Sequence, residues 1–319
     1  MEPSGWIGQK HKLKHLMRSV HTGRIVHALL LTGPEGTGKR AAAEYLARGL
    51  VCAEADPPCG GCPACKQALA GIHPDIHVLE PERGMIRIDP VRALMNALSM
   101  RPYSAKLHVA IIDGADHMNE SAQNALLKTL ESPTGSVMFL LIAESASGLL
   151  PTVISRCQTL RFAPMSVQEC AQTLMAQGIA PERARTLAGL AQGAPHKALR
   201  LNDDTEFAAL RETVLRSIET LKSDKDVLTS ANLLTQDKAD PMRILDMLEL
   251  WARDLMALQN GAPPFEADDV AKLQRCGIHG KRMLDAVLLA RRQINANVAW
   301  TYVLENLYFS LLSHPKSTR

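Results

Sequence analysis

The chain has 319 residues, more than one ordinary domain holds, and divides naturally into two or three. With 46% hydrophobic and 22% charged residues it can build packed cores, so a folded chain is the expectation and disorder is not the default. A net charge of +3, from 36 Lys+Arg against 33 Asp+Glu, argues against a whole-chain nucleic-acid glove, and 4% aromatics argue against a stacking platform for single-stranded bases. No apolar run reaches the roughly 18–20 residues that cross a bilayer. The opening MEPSGWIGQK lacks the basic-then-apolar order of a signal peptide, so a cytoplasmic protein is expected.

Leu13, Leu16, Met17 and Val20 recur at helical spacing over 10–22, ahead of Gly23. Ala28–Thr32 is a short apolar run entering a glycine-rich turn, as a buried strand would. A helix is expected over Lys39–Val51, with Ala43, Leu46, Ala47 and Leu50 on one face. Strands follow at Ile76–Leu79 and 107–113. Asn119 opens a helix over Glu120–Glu131, which Ser132-Pro133 stops. Val137–Ala143 and 159–162 complete the strands. Continuous apolar strands alternating with helices imply an α/β fold with a parallel sheet covered on both faces.

The pattern changes near Pro164. Ser166-Val167-Gln168-Glu169 has capping-box spacing, Pro181 sits where a second helix should begin, and Gly193-Ala194-Pro195 precedes a third. From about 206 onward only helical periodicity remains, as over 241–259, 280–294 and 298–313. The expected organisation is an α/β domain over 1–164, a small helical domain over 165–205 and a helical C-terminal domain over 206–319.

Gly33-Pro34-Glu35-Gly36-Thr37-Gly38-Lys39 lies between a strand and a helix, the context of a phosphate-binding loop. Glycines let backbone N–H groups turn inward, the helix N-terminus favours an anion, and Lys39 reaches the β and γ phosphates. A ligand-free strand-to-helix turn is the plainer alternative. The next position should carry the hydroxyl that ligates Mg²⁺, and it holds Arg40. Strand 107–113 ends in Asp113, which either holds Mg²⁺ or merely ends the strand. Gly114 stands where a water-polarising Glu belongs, and Asp116 is not expected to replace it. These two losses weigh against self-contained hydrolysis. Gly33, Gly36, Gly38, Lys39 and Asp113 form a degenerate nucleotide set, and ATP or ADP binding is left open.

Of seven cysteines, Cys52, Cys59, Cys62 and Cys65 fall in one short window, with Pro57-Pro58 and Gly60-Gly61 between them. Four thiolates at such spacing fit a closed tetrahedral Zn²⁺ site with no catalytic position. An iron–sulfur cluster and free thiols are the rivals. No Cys-Pro follows at the ferredoxin interval, which favours zinc. His73 and His77 are superfluous as ligands and read as surface or partly buried histidines.

Leu149-Leu150-Pro151-Thr152-Val153-Ile154-Ser155-Arg156-Cys157 follows the last long strand. Taken alone, Arg156 is a surface arginine. The order of P-loop, four-cysteine insertion, Walker B-like strand, Asn124-Ala125-Leu126-Leu127-Lys128-Thr129-Leu130-Glu131 and Ser-Arg-Cys resembles the bacterial clamp-loader AAA+ proteins. The resemblance runs from Ile7-Gly8-Gln9 through Gly23-Arg24-Ile25-Val26-His27-Ala28 to the terminal helices.

That resemblance implies a P-loop AAA+ domain, a small helical lid and a helical collar that holds a hetero-pentameric ring. It implies motor subunits, a clamp-opening subunit, the sliding clamp and primed DNA as partners. Arg156 takes the position of an arginine finger offered in trans to ATP on a neighbouring motor. Gly193-Ala194-Pro195-His196-Lys197-Ala198 puts His196 at the family's sensor-2 arginine. The expected function is a non-hydrolysing subunit that helps place the clamp on DNA in replication. The hydrolysing motor subunit is the alternative, against which stand Arg40, Gly114 and the lack of a long C-terminal extension. A zinc-dependent DNA-binding protein is the second alternative, and near-neutral charge weighs against it. Lys10, Lys12, Lys14 and Arg18 form a basic face on the first helix, which is either solvated or in contact with phosphate.

Overall fold

Five strands pair in parallel in this computed structural model, which describes residues 16–19, 26–82, 84–131, 136–236, 240–262, 264 and 267–312. The strands are β1 (Ala28–Thr32), β2 (Ile76–Leu79), β3 (His108–Asp113), β4 (Val137–Ala143) and β5 (Gln158–Arg161), in the order β2-β3-β4-β1-β5. Most of the expected first helix, with Lys10, Lys12 and Lys14, lies outside the described residues, as do Gly23 to Ile25 and Ser132-Pro133. Residues 16–19 are helical, with Met17 buried.

Every residue of β1 and β4 is buried, as expected for a sheet covered on both faces. Alternate β1 residues sort to opposite sides. Leu29 and Leu31 pack with Ala42, Ala43 and Leu46 of α1 (Lys39–Val51). Ala28 and Leu30 pack with Val91, Leu126 and Leu130. Those partners come from α3 (Ile88–Leu98) and α4 (Glu120–Glu131). Short helices α2 (Pro63–Leu69) and α5 (Pro151–Ile154) complete this part.

The sequence reading omitted α2 and α3. Helix α2 is hidden in the cysteine cluster, where Cys62 is its N-cap and Pro63 its first residue. Helix α3 carries Val91, Leu94 and Leu98 at helical spacing, with Pro90 in the first turn, where no N–H is missed.

The remaining helices are α6 (Val167–Met175), α7 (Pro181–Leu190), α8 (Pro195–Asp203), α9 (Thr205–Glu219), α10 (Asp224–Gln236), α11 (Pro241–Gln259), α12 (Ala267–Arg275), α13 (Gly280–Asn295) and α14 (Trp300–Leu311). The Ser166–Glu169 capping box forms at the start of α6 as the spacing predicts. By compactness the chain splits into two units, Met1–Met165 with Ala194–Lys197, and Ser166–Gly193 with Ala198–Arg319. The second unit shares one core, in which Leu190 joins Trp251, Met283, Leu304 and the fully buried Tyr308. Among the described residues no helix is long and apolar enough to cross a membrane.

Candidate functional site

The loop after β1 has the backbone of a phosphate cradle. Gly33 has φ +146°, and a Cβ there would lie 1.9 Å from the carbonyl oxygen of Phe162. Gly36 has φ +73°, and its Cβ would lie 2.5 Å from Cβ of Lys197, so only glycine fits either place. Gly38, also left-handed, leads into α1. The Lys39 ammonium is buried and donates to the carbonyls of Gly33 at 2.5 Å and Pro34 at 2.8 Å. Burial lowers its pKa, against the opposing pull of Glu144, Asp113, Asp116 and Glu35.

Arg40 carries the main departure. The register that pairs Leu79 with Ile112 leaves Glu80 and Asp113 side by side at the carboxyl ends of two parallel strands. Nη1 of Arg40 donates to both, at 2.6 Å to Glu80 and 2.7 Å to Asp113, while Nε donates to Glu44 at 2.6 Å. Burial alone would lower the Arg40 pKa, and the three carboxylates more than offset it. The Mg²⁺ that a P-loop implies does not fit these residues: the ligating hydroxyl is absent and the Asp113 carboxylate already binds a guanidinium.

The second expected departure has a backbone cause. Gly114 leaves β3 with φ +69°, and a Cβ there would meet Pro81 at 2.8 Å, so a glutamate at this position would be strained. The carboxylate of Asp116 accepts from the backbone N–H of Glu144 at 2.9 Å and Ser145 at 3.3 Å, which ties it to the end of β4. His196 meets the loop through its backbone, its N–H donating to the Gly36 carbonyl at 3.1 Å.

The sulfur atoms of Cys52, Cys59, Cys62 and Cys65 all lie within 4.8 Å of one another. Cys52 to Cys62 and Cys59 to Cys65 are each 3.9 Å apart, far beyond a disulfide bond. A tetrahedron with Zn–S near 2.3 Å has S–S edges of about 3.8 Å, so the four residues fit the ion. The N–H groups of Cys62 and Cys65 aim at the sulfurs of Cys59 and Cys62. Backbone N–H groups of Cys62 and Gly61 bring the Cys59 thiol down to about 7, and burial pushes Cys65 up to about 12. His73 and His77 are outside the cluster. His73 is more buried than the sequence implied, its Nδ1 accepting from the Asp75 N–H, and His77 pairs with His108 at 3.2 Å.

Arg156 follows α5 and is 32% exposed. Its guanidinium donates to Glu131 at 2.6 Å and to the Thr152 carbonyl at 2.8 Å. The segment that carries it is held from below by Gln123, a buried residue of α4 absent from the sequence reading. Gln123 donates to the carbonyls of Met118 and Gly148, each at 3.0 Å, and accepts from the Leu150 N–H at 2.7 Å. Cys157 beside the arginine packs on the core as an apolar side chain, with burial raising its thiol to about 11. Cys170 is buried and Cys276 packs against the helical core.

The strand order, the glycine loop and the Asp113 strand define a P-loop protein of the AAA+ class. A family model described as DNA polymerase III, delta subunit, matches residues 8–166. DNA polymerase III subunit delta' of Bacillus subtilis is 33% identical over 319 residues, covering 95% of this chain and 96% of its own. Its Pseudomonas aeruginosa counterpart is 40% identical over 183 residues, or 55% and 56% of the two chains. Subunit tau of Bacillus subtilis is 28% identical over 286 residues, 82% of this chain and 50% of that one. The chain belongs to the DNA polymerase III subunit delta' family.

Proposed function

We propose that the chain is a non-hydrolysing subunit of the clamp loader, which helps place the sliding clamp on primed DNA and lends Arg156 to ATP on a neighbouring motor subunit. One observation carries this reading: Arg40 sits 2.7 Å from Asp113, where hydrolysis needs a hydroxyl and a metal. Gly114 removes the carboxylate that would activate water. Arg156, by contrast, stands partly exposed on a braced segment, so its fixed charge is available to another subunit's γ-phosphate without rebuilding the fold.

Cys52, Cys59, Cys62 and Cys65 would hold Zn²⁺ as a structural ion that fixes the insertion after α1. Within the second unit, 165–205 would act as the lid and 206–319 as the collar. The partners are motor subunits of the tau type, a clamp-opening subunit, the clamp, and DNA through the assembly, all in the cytoplasm.

The test is hydrolysis and assembly measured together. The purified chain alone should release no phosphate above background, with or without DNA. Mixed with the motor and clamp-opening subunits it should elute in one complex with DNA-stimulated activity. Robust hydrolysis by the isolated chain would favour the motor reading.

A further inference from the structure

We propose that Arg40 is a resident cation standing in for the divalent metal, and that this one side chain closes the loop to Mg²⁺–nucleotide. The inference rests on reading Gly33 to Lys39 as a phosphate loop, and it goes beyond loss of hydrolysis, since a site lacking only its catalytic carboxylate still binds Mg²⁺–ATP.

The charges explain why an arginine settles there. Glu80 and Asp113 end adjacent strands, and Glu44 is one turn along α1 from Arg40. Without a cation these three acids would crowd one corner, and a hydrated divalent ion is the usual remedy. Arg40 supplies one positive charge and fills the corner with donors, at 2.6 to 2.7 Å from all three carboxylates. A guanidinium has no acceptor atom, so it cannot enter a metal's coordination shell. It also occupies the Asp113 oxygen a metal would use and repels a second cation. These pairs are part-exposed, with side-chain exposures of 36% for Arg40, 31% for Asp113 and 58% for Glu80, so each adds little to stability. Their effect is on which cation the corner accepts. The rest of the loop is intact: the left-handed glycines are in place, and the Lys39 ammonium occupies itself with loop carbonyls at 2.5 and 2.8 Å that a phosphate would replace.

Arg40→Ser should therefore open the site in one step. It restores a hydroxyl at the head of α1 and frees the Asp113 and Glu80 carboxylates. The experiment is thermal unfolding of the full chain with ATP alone, MgCl₂ alone and both, at millimolar concentrations. In the wild type, adding Mg²⁺ should not raise the melting temperature above that with ATP alone. In Arg40→Ser, ATP and Mg²⁺ together should raise it by several degrees, and neither alone should. Arg40→Lys, which keeps the charge, should behave as wild type. A Mg²⁺-dependent rise in the wild type overturns the proposal, and that arm needs no variant to fold. A folded Arg40→Ser with no Mg²⁺-dependent rise overturns it as well. A wild type that binds Mg²⁺–ATP without releasing phosphate would refute only this inference and leave the non-hydrolysing reading standing.

Discussion

Stripping the metal from the four-cysteine module should open that module and leave the sheet folded. Apart from Pro58, which is buried beside Gly49 of α1, the module has little else to hold it. Helix α2 has seven residues, below the roughly 12–15 at which an isolated helix becomes even marginal in water. Cys65 is its one fully buried side chain, and Ala64 and Ala68 only partly cover the α1 face. Two half-buried methyl groups contribute on the order of 1 kcal/mol. Ordering the backbone from Cys52 to Cys65 costs about 1–2 kcal/mol per residue, an order of magnitude more. A structural zinc supplies roughly 10–16 kcal/mol, which is of the size required. The sheet should survive the loss, because Leu29, Leu31, Val109 and Leu140 are buried in a core that Ala64 and Ala68 touch only as partly buried residues. Hydrogen exchange before and after chelation is the assay, with elemental analysis alongside. About one zinc per chain is expected. Chelation should expose the amides of 52–71 to fast exchange and leave β1, β3 and β4 protected. Iron in place of zinc, no metal, or unchanged protection over 52–71 would refute the reasoning.

Other outcomes follow from buried polar groups. The Asp75 carboxylate, 1% exposed, accepts from the N–H groups of Tyr103, Ser104 and Ala105 at 2.6 to 2.8 Å. Burial alone would raise its pKa, but these bonds outweigh it and hold the group at about 2. Against about 3.9 in the unfolded chain, that is worth roughly 2 kcal/mol, fully present above pH ~4 and lost as pH falls toward 2. Asp75→Asn should cost about that much at neutral pH, with the gap to wild type closing on acidification in denaturant titrations. A gap independent of pH would contradict the assignment. Gln123→Ala leaves the Met118 and Gly148 carbonyls and the Leu150 N–H without their partner, at about 2–3 kcal/mol in the same titration. Its exchange signature should appear over 148–157, the segment that carries Arg156, and a loss spread evenly over the chain would contradict a local brace.

Local pattern made much of this protein legible. Apolar runs located the central strands β1, β3 and β4, and Ser166 with Glu169 marked the start of α6. The glycine and cysteine motifs were readable because their chemistry is confined to short windows. What stayed hidden depends on register. Glu80 meets Arg40 only because β2 and β3 pair with Leu79 opposite Ile112, which no local pattern encodes. Glu131 and Arg156 are brought together by the return of the chain after β4. Gln123 has no local signature, since its partners Gly148 and Leu150 lie 25 and 27 residues along the chain. At Gly114 the sequence shows a missing carboxylate, and the left-handed backbone adds the reason a glutamate does not fit there.

The proposed role of Arg156 as a finger in trans is tested by Arg156→Ala in a reconstituted assembly. The side chain gives up one part-exposed ion pair and two exposed hydrogen bonds, to the Thr152 carbonyl and the Ser155 hydroxyl, so folding and assembly should be unaffected. Single-turnover hydrolysis should fall about 10³-fold at the ATP site facing this subunit. An intact assembly with the wild-type rate at every site would contradict the account.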